Sequence, residues 1–180
     1  HNRVRRQRQM CIRDSLRHPS VSSKQFLITI GDRSVGGLTV RDQMVGRYQV
    51  PTSNYALSSS SFNSKRGEVA AIGEKPQIAI FNPSASLRMA FGELILNLIS
   101  VPIANISKVV LSANWMAASG ENDNNLDLIE GVKALSEICC ELGVAIPVGK
   151  DSMSMRTDWN ENNKDYSVVS PLSGILTGLA

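Results

Sequence analysis

Apolar positions along the chain fall into short runs separated by polar stretches, with two longer stripes of helical spacing. Residues 24–31, KQFLITIG, form a β-branched and aromatic run closed by Gly31, which predicts a buried strand. Residues 31–50 are polar and contain several glycines. Residues 51–68 are rich in Ser and Asn and predict loop around one short strand. QIAIFN at 77–82 predicts another strand. Over 84–100, Leu87, Phe91, Leu94, Ile95, Leu98 and Ile99 fill one arc at about 100° per residue, which predicts a helix. Ser84 or Ser86 can cap its start. A strand is predicted over 108–115, then a helix over 126–142 with Asn125 as its cap. Leu128, Val132, Leu135, Cys139 and Leu142 recur on one face of that helix, and Gly143 supplies its stop. A strand over 144–149 runs into KDSMSM. The closing SPLSGILTGLA begins one more apolar strand and stops in mid-pattern, leaving sheet hydrogen bonds to be met by further chain. The order strand, helix, strand, helix, strand defines an α/β class.

Composition adjusts this picture in three places. The 42% hydrophobic content supports a core, and the 5% aromatic fraction makes it one of Leu, Ile, Val, Ala and Met. The net charge of +3 is unevenly placed: six Arg and one Asp lie in the first 20 residues, leaving 13 basic and 15 acidic side chains elsewhere. The body is therefore near neutral, and the charge does not argue for nucleic acid. Residues 1–15 have no apolar periodicity and read either as a disordered basic tail or as a non-native segment. No apolar run is long enough to span a membrane. Cys11, Cys139 and Cys140 have neither disulfide nor zinc-ligand spacing, which fits a reducing compartment. With no secretory signal at the start, a cytoplasmic location is expected.

Candidate chemistry is sparse. On the 84–100 helix, Ser86, Glu93, Asn97 and Ser100 form a narrow polar stripe opposite the apolar arc. Glu93 and Asn97 stand one turn apart and offer two oxygen ligands to a hard cation such as Mg²⁺, although any amphipathic helix carries such a face. Gly31, Gly36 and Gly37, followed by Arg41 and Asp42, can form a phosphate-cradling loop or simply a turn with a solvated charge pair. They match neither common Gly-rich phosphate motif. GKDSMSM at 149–155 follows a strand end, where α/β proteins place ligands. There Lys150 can neutralise phosphate, Asp151 can hold a metal, and Ser152 or Ser154 can donate hydrogen bonds; a polar turn is the simpler reading. His1 and His18 are the only histidines. No Ser/His/Asp or Cys/His set can be assembled from them.

Five segments, FLITIGDRSVGGLTVRDQMVGRYQVP, GEVAAIGEKP, SASLRMAFGELILNL, LSANWMAA and IPVGKDSMSM, occur in an order and spacing that resembles the large phosphoribosylformylglycinamidine synthase family. The likeness runs from about Leu16 to Ala180. It implies a mixed α/β sheet with helices on one face, similar to the N-terminal domain of aminoimidazole ribonucleotide synthetase, here truncated within the second of two repeats. It divides the chain into the tail at 1–15, a synthetase N-terminal-type subdomain at 16–165, and the first strand of a following subdomain at 166–180. It implies an ATP-dependent C–N ligase of purine biosynthesis that takes formylglycinamide ribonucleotide, ATP and glutamine-derived ammonia. The ammonia comes from a glutaminase elsewhere in the polypeptide, so the chain alone is expected to be inactive; no nucleic-acid or membrane partner is implied. Carried residue by residue, the resemblance puts Mg²⁺ on Asn54, Glu93 and Asn97, with Ser53 beside the nucleotide. Asn54 departs from the family's Asp, which weakens an ion site by one charge. The resemblance assigns metal and substrate contacts of a second, catalytic site to Asp151, with Lys150, Ser152 and Ser154 nearby. Arg41 and Asp42 echo a substrate- and metal-holding pair. The alternative is a structural half-repeat with a degenerate nucleotide site.

Overall fold

The computed structural model describes every residue except His1, Ser20, Lys24, Ile30, Asp32 and Asn122, and for residues 2–5 the helical backbone alone. Its centre is a six-stranded mixed sheet built from β1 (Thr39–Arg41), β2 (Tyr55–Ser59), β3 (Gly67–Glu74), β4 (Val110–Met116), β5 (Ala145–Ser152) and β8 (Ser173–Leu179), in the order β1-β2-β3-β8-β4-β5. All pairings are antiparallel except β4 with β5. Strands β6 (Arg156–Glu161) and β7 (Lys164–Val169) form a separate hairpin. The long helices α4 (Pro83–Leu98) and α5 (Asn124–Leu142) cover one face of the sheet; α4 lies across β3 and β8, and α5 packs beside it.

Helix α4 buries Leu87, Phe91, Leu94 and Leu98 of the predicted arc, whereas Ile95 is half-buried and Ile99, just past the helix end, is exposed. Its close approach rests on glycines in the strands beneath. A Cβ at Gly73 would overlap the Ala90 carbonyl oxygen and stand 2.7 Å from the Leu94 nitrogen, and one at Gly178 would come within 2.8 Å of Leu98. The cap is Asn82, not Ser84 or Ser86: its side chain accepts from the Ala85 amide at 2.8 Å, and Pro83 occupies the first helical position. Helix α5 ends as expected on Gly143 at φ +67°. Its start differs, because Asp123 precedes the helix and Asn125 lies inside it. Its buried face is also rotated. Gly131, Ala134, Leu135 and Cys139 are buried, while Val132 and Leu142 are exposed. Counting large apolar residues overlooks Gly131, whose missing side chain lets Leu87 and Leu172 come close.

Two predicted strands are short helices. Within 24–31 the described residues form α2 (Gln25–Thr29), where the Thr29 hydroxyl donates to the Gln25 carbonyl at 3.0 Å. No described strand pairs with them, so local helical bonding prevails. QIAIFN starts in α3 (Pro76–Ala79), because Pro76 has no N–H for a ladder and a φ already set for a first helical turn. The N-terminal run is helical as well, over α1 (Asn2–Arg17), consistent with the helix propensity of its Arg, Gln, Met and Leu residues. The β6–β7 hairpin was not read from the sequence. Asn162 and Asn163 turn it with φ of 53° and 59°, the left-handed geometry of a tight two-residue hairpin loop.

Strand β8 sits between β3 and β4, bonded on both sides, so residues 173–179 are part of this sheet.

Candidate functional site

Strand β3 outruns its neighbour β2, whose first residue, Tyr55, pairs with Ala71. Val69 and Ala180 exchange both backbone hydrogen bonds, at 2.9 and 3.0 Å, so the odd-numbered residues of β3 turn their amides toward β8. Ile72 and Glu74 therefore turn theirs to the side that β2 no longer covers. Helix α4 meets this orphaned edge. The Asn97 amide donates to the Ile72 carbonyl at 3.1 Å, and Glu93 Oε2 accepts from the Glu74 N–H at 3.0 Å. One residue on, the Ser86 hydroxyl donates to the Lys75 carbonyl at 2.7 Å, with Ser86 only 1% exposed. The stripe of Ser86, Glu93 and Asn97 is thus a rail that holds the end of β3 and the start of α3. It faces protein backbone, whereas helical spacing alone sets it opposite the core. Ser100 is not part of the rail and bonds back to the Leu96 carbonyl at 3.5 Å.

The second oxygen of Glu93 receives the Lys75 ammonium at 2.7 Å, with the two side chains 35% and 33% exposed respectively. Burial pushes the Glu93 carboxyl up, but the Lys75 hydrogen bond, the Glu74 amide and the Lys75 charge outweigh it and hold the pKa below its ordinary value. Asn54 lies one residue before β2, beyond the last pair of the β2–β3 ladder, whereas Glu93 and Asn97 both meet the end of β3. An open cavity of about 540 Å³ is lined by Arg41, Ser53, Asn54, Glu68, Ile72 and Thr177, among others, and neither Glu93 nor Asn97 lines it. The Arg41 guanidinium stands 5.2 Å from the centre of the Tyr55 ring, and the Ser53 hydroxyl donates to the Tyr55 carbonyl at 2.6 Å.

Of the oxygens a hard cation would take, Glu93 offers a carboxylate and Asn97 retains its amide oxygen, because its nitrogen is the group spent on Ile72; Asn54 lines the cavity apart from both. A cation, the Lys75 ammonium, already rests on the carboxylate. Among the described residues there is no cluster of three His, Cys, Asp or Glu side chains, so the set carries a single negative charge.

The remaining candidates lie elsewhere. Arg41 and Asp42 do not pair with each other. Asp42 binds Arg33 at 2.8 Å, and that hydrogen bond, opposed by burial and aided by the Met44 amide, holds its carboxyl below the ordinary range. Sequence reading missed Arg33 because nine residues separate it from Asp42. At the other edge of the sheet, Lys150 pairs in register with Asn114 and Ser152 with Met116. Alternation along β5 puts Lys150 and Ser152 on the open face, where Lys150 donates to the Ser152 hydroxyl at 2.9 Å. Asp151, opposite Trp115, points to the helix-bearing face and so does not join them. Ser154 lies past the strand, in a single bridge to Ala118. Four strand spacings, roughly 20 Å, separate this edge from the β2 edge. Beside Lys150, the buried amide oxygen of Asn114 has no hydrogen-bond partner, a feature no periodicity reveals.

A mixed sheet with two helices on one face and polar groups along one strand edge defines an α/β domain. The profile of the FGAR-AT PurM_N-like domain matches residues 23–180, and the chain belongs to that family. Among solved structures, Thermotoga maritima PurL complexed with ATP is similar at 16% identity over 78% of this chain and 24% of its own, with a TM-score of 0.50. The ADP complex of the same protein aligns over 78% of this chain and 25% of its own at 15% identity and a TM-score of 0.49. T. maritima phosphoribosylformylglycinamidine synthase II aligns over 71% of this chain and 20% of its own at 16% identity, again with a TM-score of 0.49. At these identities the likeness concerns the fold, and the chain spans about a quarter or less of the matched structures.

Proposed function

We propose that this chain is a nucleotide-bearing unit of a phosphoribosylformylglycinamidine synthase. In that reaction ATP phosphorylates the amide oxygen of formylglycinamide ribonucleotide, and ammonia released from glutamine displaces the phosphate. Glutaminase and further synthetase segments lie in the rest of the polypeptide, and the enzyme works in the cytoplasm. The observation that carries this reading is the family match over residues 23–180, and it is supported by Glu93 and Asn97 meeting the end of β3 together and by Arg41, Ser53 and Asn54 lining one cavity. In this reading Arg41 and Ser53 contact the nucleotide. Asn54, Glu93 and Asn97 hold Mg²⁺, which neutralises phosphate charge when bound. Lys150, Ser152 and Ser154 face a second ligand at the β5 edge. Asp42 and Asp151 are weaker metal candidates, since Arg33 holds the first and the second lies on the other face of the sheet.

Calorimetric titration of the chain with ADP in the presence of Mg²⁺ tests the site. Binding is expected for the native sequence and is expected to fall at least about tenfold in Glu93→Gln, which removes the only carboxylate. A chain that takes up no nucleotide would sink the proposal.

A structural half-repeat is the second reading, and one observation favours it: Ser86, Glu93 and Asn97 each hold a backbone group between Ile72 and Lys75. On that reading Glu93→Gln lowers stability and changes no ligand affinity.

A further inference from the structure

A second cavity, of about 690 Å³, lies at the end of β3 away from Glu93, between the β2–β3 turn and the segment 101–108 that follows α4. It shares Leu57, Ser58 and Val69 with the cavity of Arg41 and Ser53, and only it reaches 101–108. Its apolar wall is formed by Val40, Leu57, Val69, Val101 and Ile103, and Lys65, Arg66 and Lys108 stand around that wall. No Asp or Glu lines it, and none of the three cations forms an ion pair with a described residue. Residues 21–180 carry 15 acidic and 13 basic side chains, so three cations without a carboxylate depart from the charge of the surrounding body.

The backbone on both sides is set by its own hydrogen bonds. The Ser60 N–H donates to the Arg66 carbonyl at 3.0 Å, and the Arg66 N–H donates to the Ser64 hydroxyl at 2.9 Å. Across the cavity, the Asn105 side chain accepts from the Ser107 N–H at 2.9 Å, and the Lys108 N–H donates to the Asn105 carbonyl at 3.0 Å. A ligand therefore has side chains to order here and little backbone. One sign of charge around an apolar wall raises the local concentration of the opposite sign, and the wall gains when an apolar body covers it. We propose that this cavity binds a small organic anion. Its phosphate or carboxylate group lies among Lys65, Arg66 and Lys108, and its apolar body lies against Val69, Val101 and Ile103. The volume suits such a ligand, since small-molecule sites run from roughly 300 to 1,000 Å³.

Amide-resolved nuclear magnetic resonance of the isotope-labelled whole chain tests this with four probes: phenyl phosphate, 3-phenylpropionate, inorganic phosphate and benzyl alcohol. Both aromatic anions are expected to shift the amides of 64–67 and 101–108, and the tighter of the two identifies the preferred anionic group. Inorganic phosphate is expected to bind about tenfold more weakly than phenyl phosphate, the scale of one ring partly removed from water. Benzyl alcohol, which has the ring without the charge, is also expected to bind more weakly. Arg66→Met and Lys108→Met each remove a charge and keep an apolar stem. Each is expected to weaken phenyl phosphate about threefold, and the pair about tenfold, the scale of exposed ion pairs. Should the double variant lose the dispersed spectrum of a folded chain, the single variants decide. Amides that neither aromatic anion moves, or an affinity unchanged by removing these charges, overturn the site. Benzyl alcohol binding as tightly as phenyl phosphate overturns its anion preference, and inorganic phosphate doing so overturns the role of the apolar wall.

Discussion

Glu93 illustrates how one side chain can satisfy two demands. It stands on a helix, yet its hydrogen bonds go to the end of a strand and to Lys75, because β2 stops short and leaves the Glu74 amide without a ladder partner. Removing the carboxylate leaves that amide relying on water and a half-exposed ammonium without its partner. Glu93→Gln is therefore expected to cost about 1 kcal/mol in urea denaturation near neutral pH, the net scale of one hydrogen bond plus a partly exposed ion pair. The pH dependence has a definite sign. The folded pKa of Glu93 lies below its ordinary value, so its contribution is full above the unfolded pKa and is lost as pH falls through the folded pKa. Stability profiles of native chain and Glu93→Gln should diverge at neutral pH and converge in the acid range; parallel curves would remove Glu93 from this role.

At the scale of elements, the seating of α4 on β3 and β8 is set by absent side chains. Gly73 lies where any Cβ meets the α4 backbone itself, and backbone cannot rotate out of the way as a leucine tip can. Gly73→Ala is expected to destabilise the chain by about 3 kcal/mol, at the upper end for overpacking, because α4 must lift from the sheet. Thermal unfolding checks this. A loss below half of that would mean that α4 tolerates displacement. The same lift would draw Glu93 and Asn97 away from the β3 edge, so the packing of these two elements and the geometry of the candidate site are one property. The rotated face of α5 has a related origin, since Gly131 and Ala134 bury by closeness where Val132 does not.

For the whole molecule, chain order and spatial order differ most at β8. It is the last strand in sequence and lies between β3 and β4 in the sheet, closing contacts across more than a hundred residues. Ending the chain after Pro171 would leave facing edges of β3 and β4 unpaired and expose Leu87, Leu94 and Leu98 beneath the missing strand. Such a chain is expected to lose cooperative unfolding, measured by near-ultraviolet circular dichroism of Trp115 and Trp159. Retention of a sharp transition would show that the sheet holds without its central strand. The two candidate ligand groups lie at opposite edges of this sheet, so β8 also fixes the spacing between them.

Local periodicity determined the two long helices, the apolar arc of α4, the Gly143 stop and the strands near β4 and β5. These follow from near-neighbour physics: helical and strand periods, caps and turn residues. The five spaced segments carried the family. Residues 25–29 and 77–79 have the composition of strands but form helical turns, the second because Pro76 has no N–H for a ladder and a φ already set for a first helical turn. The turn of the Ser86–Glu93–Asn97 stripe onto the β3 edge and the return of Lys75 to Glu93 depend on where β2 stops relative to β3. That is a relation between segments far apart in sequence, with no signature in the spacing of residues along any one of them, and only the packed sheet decides it.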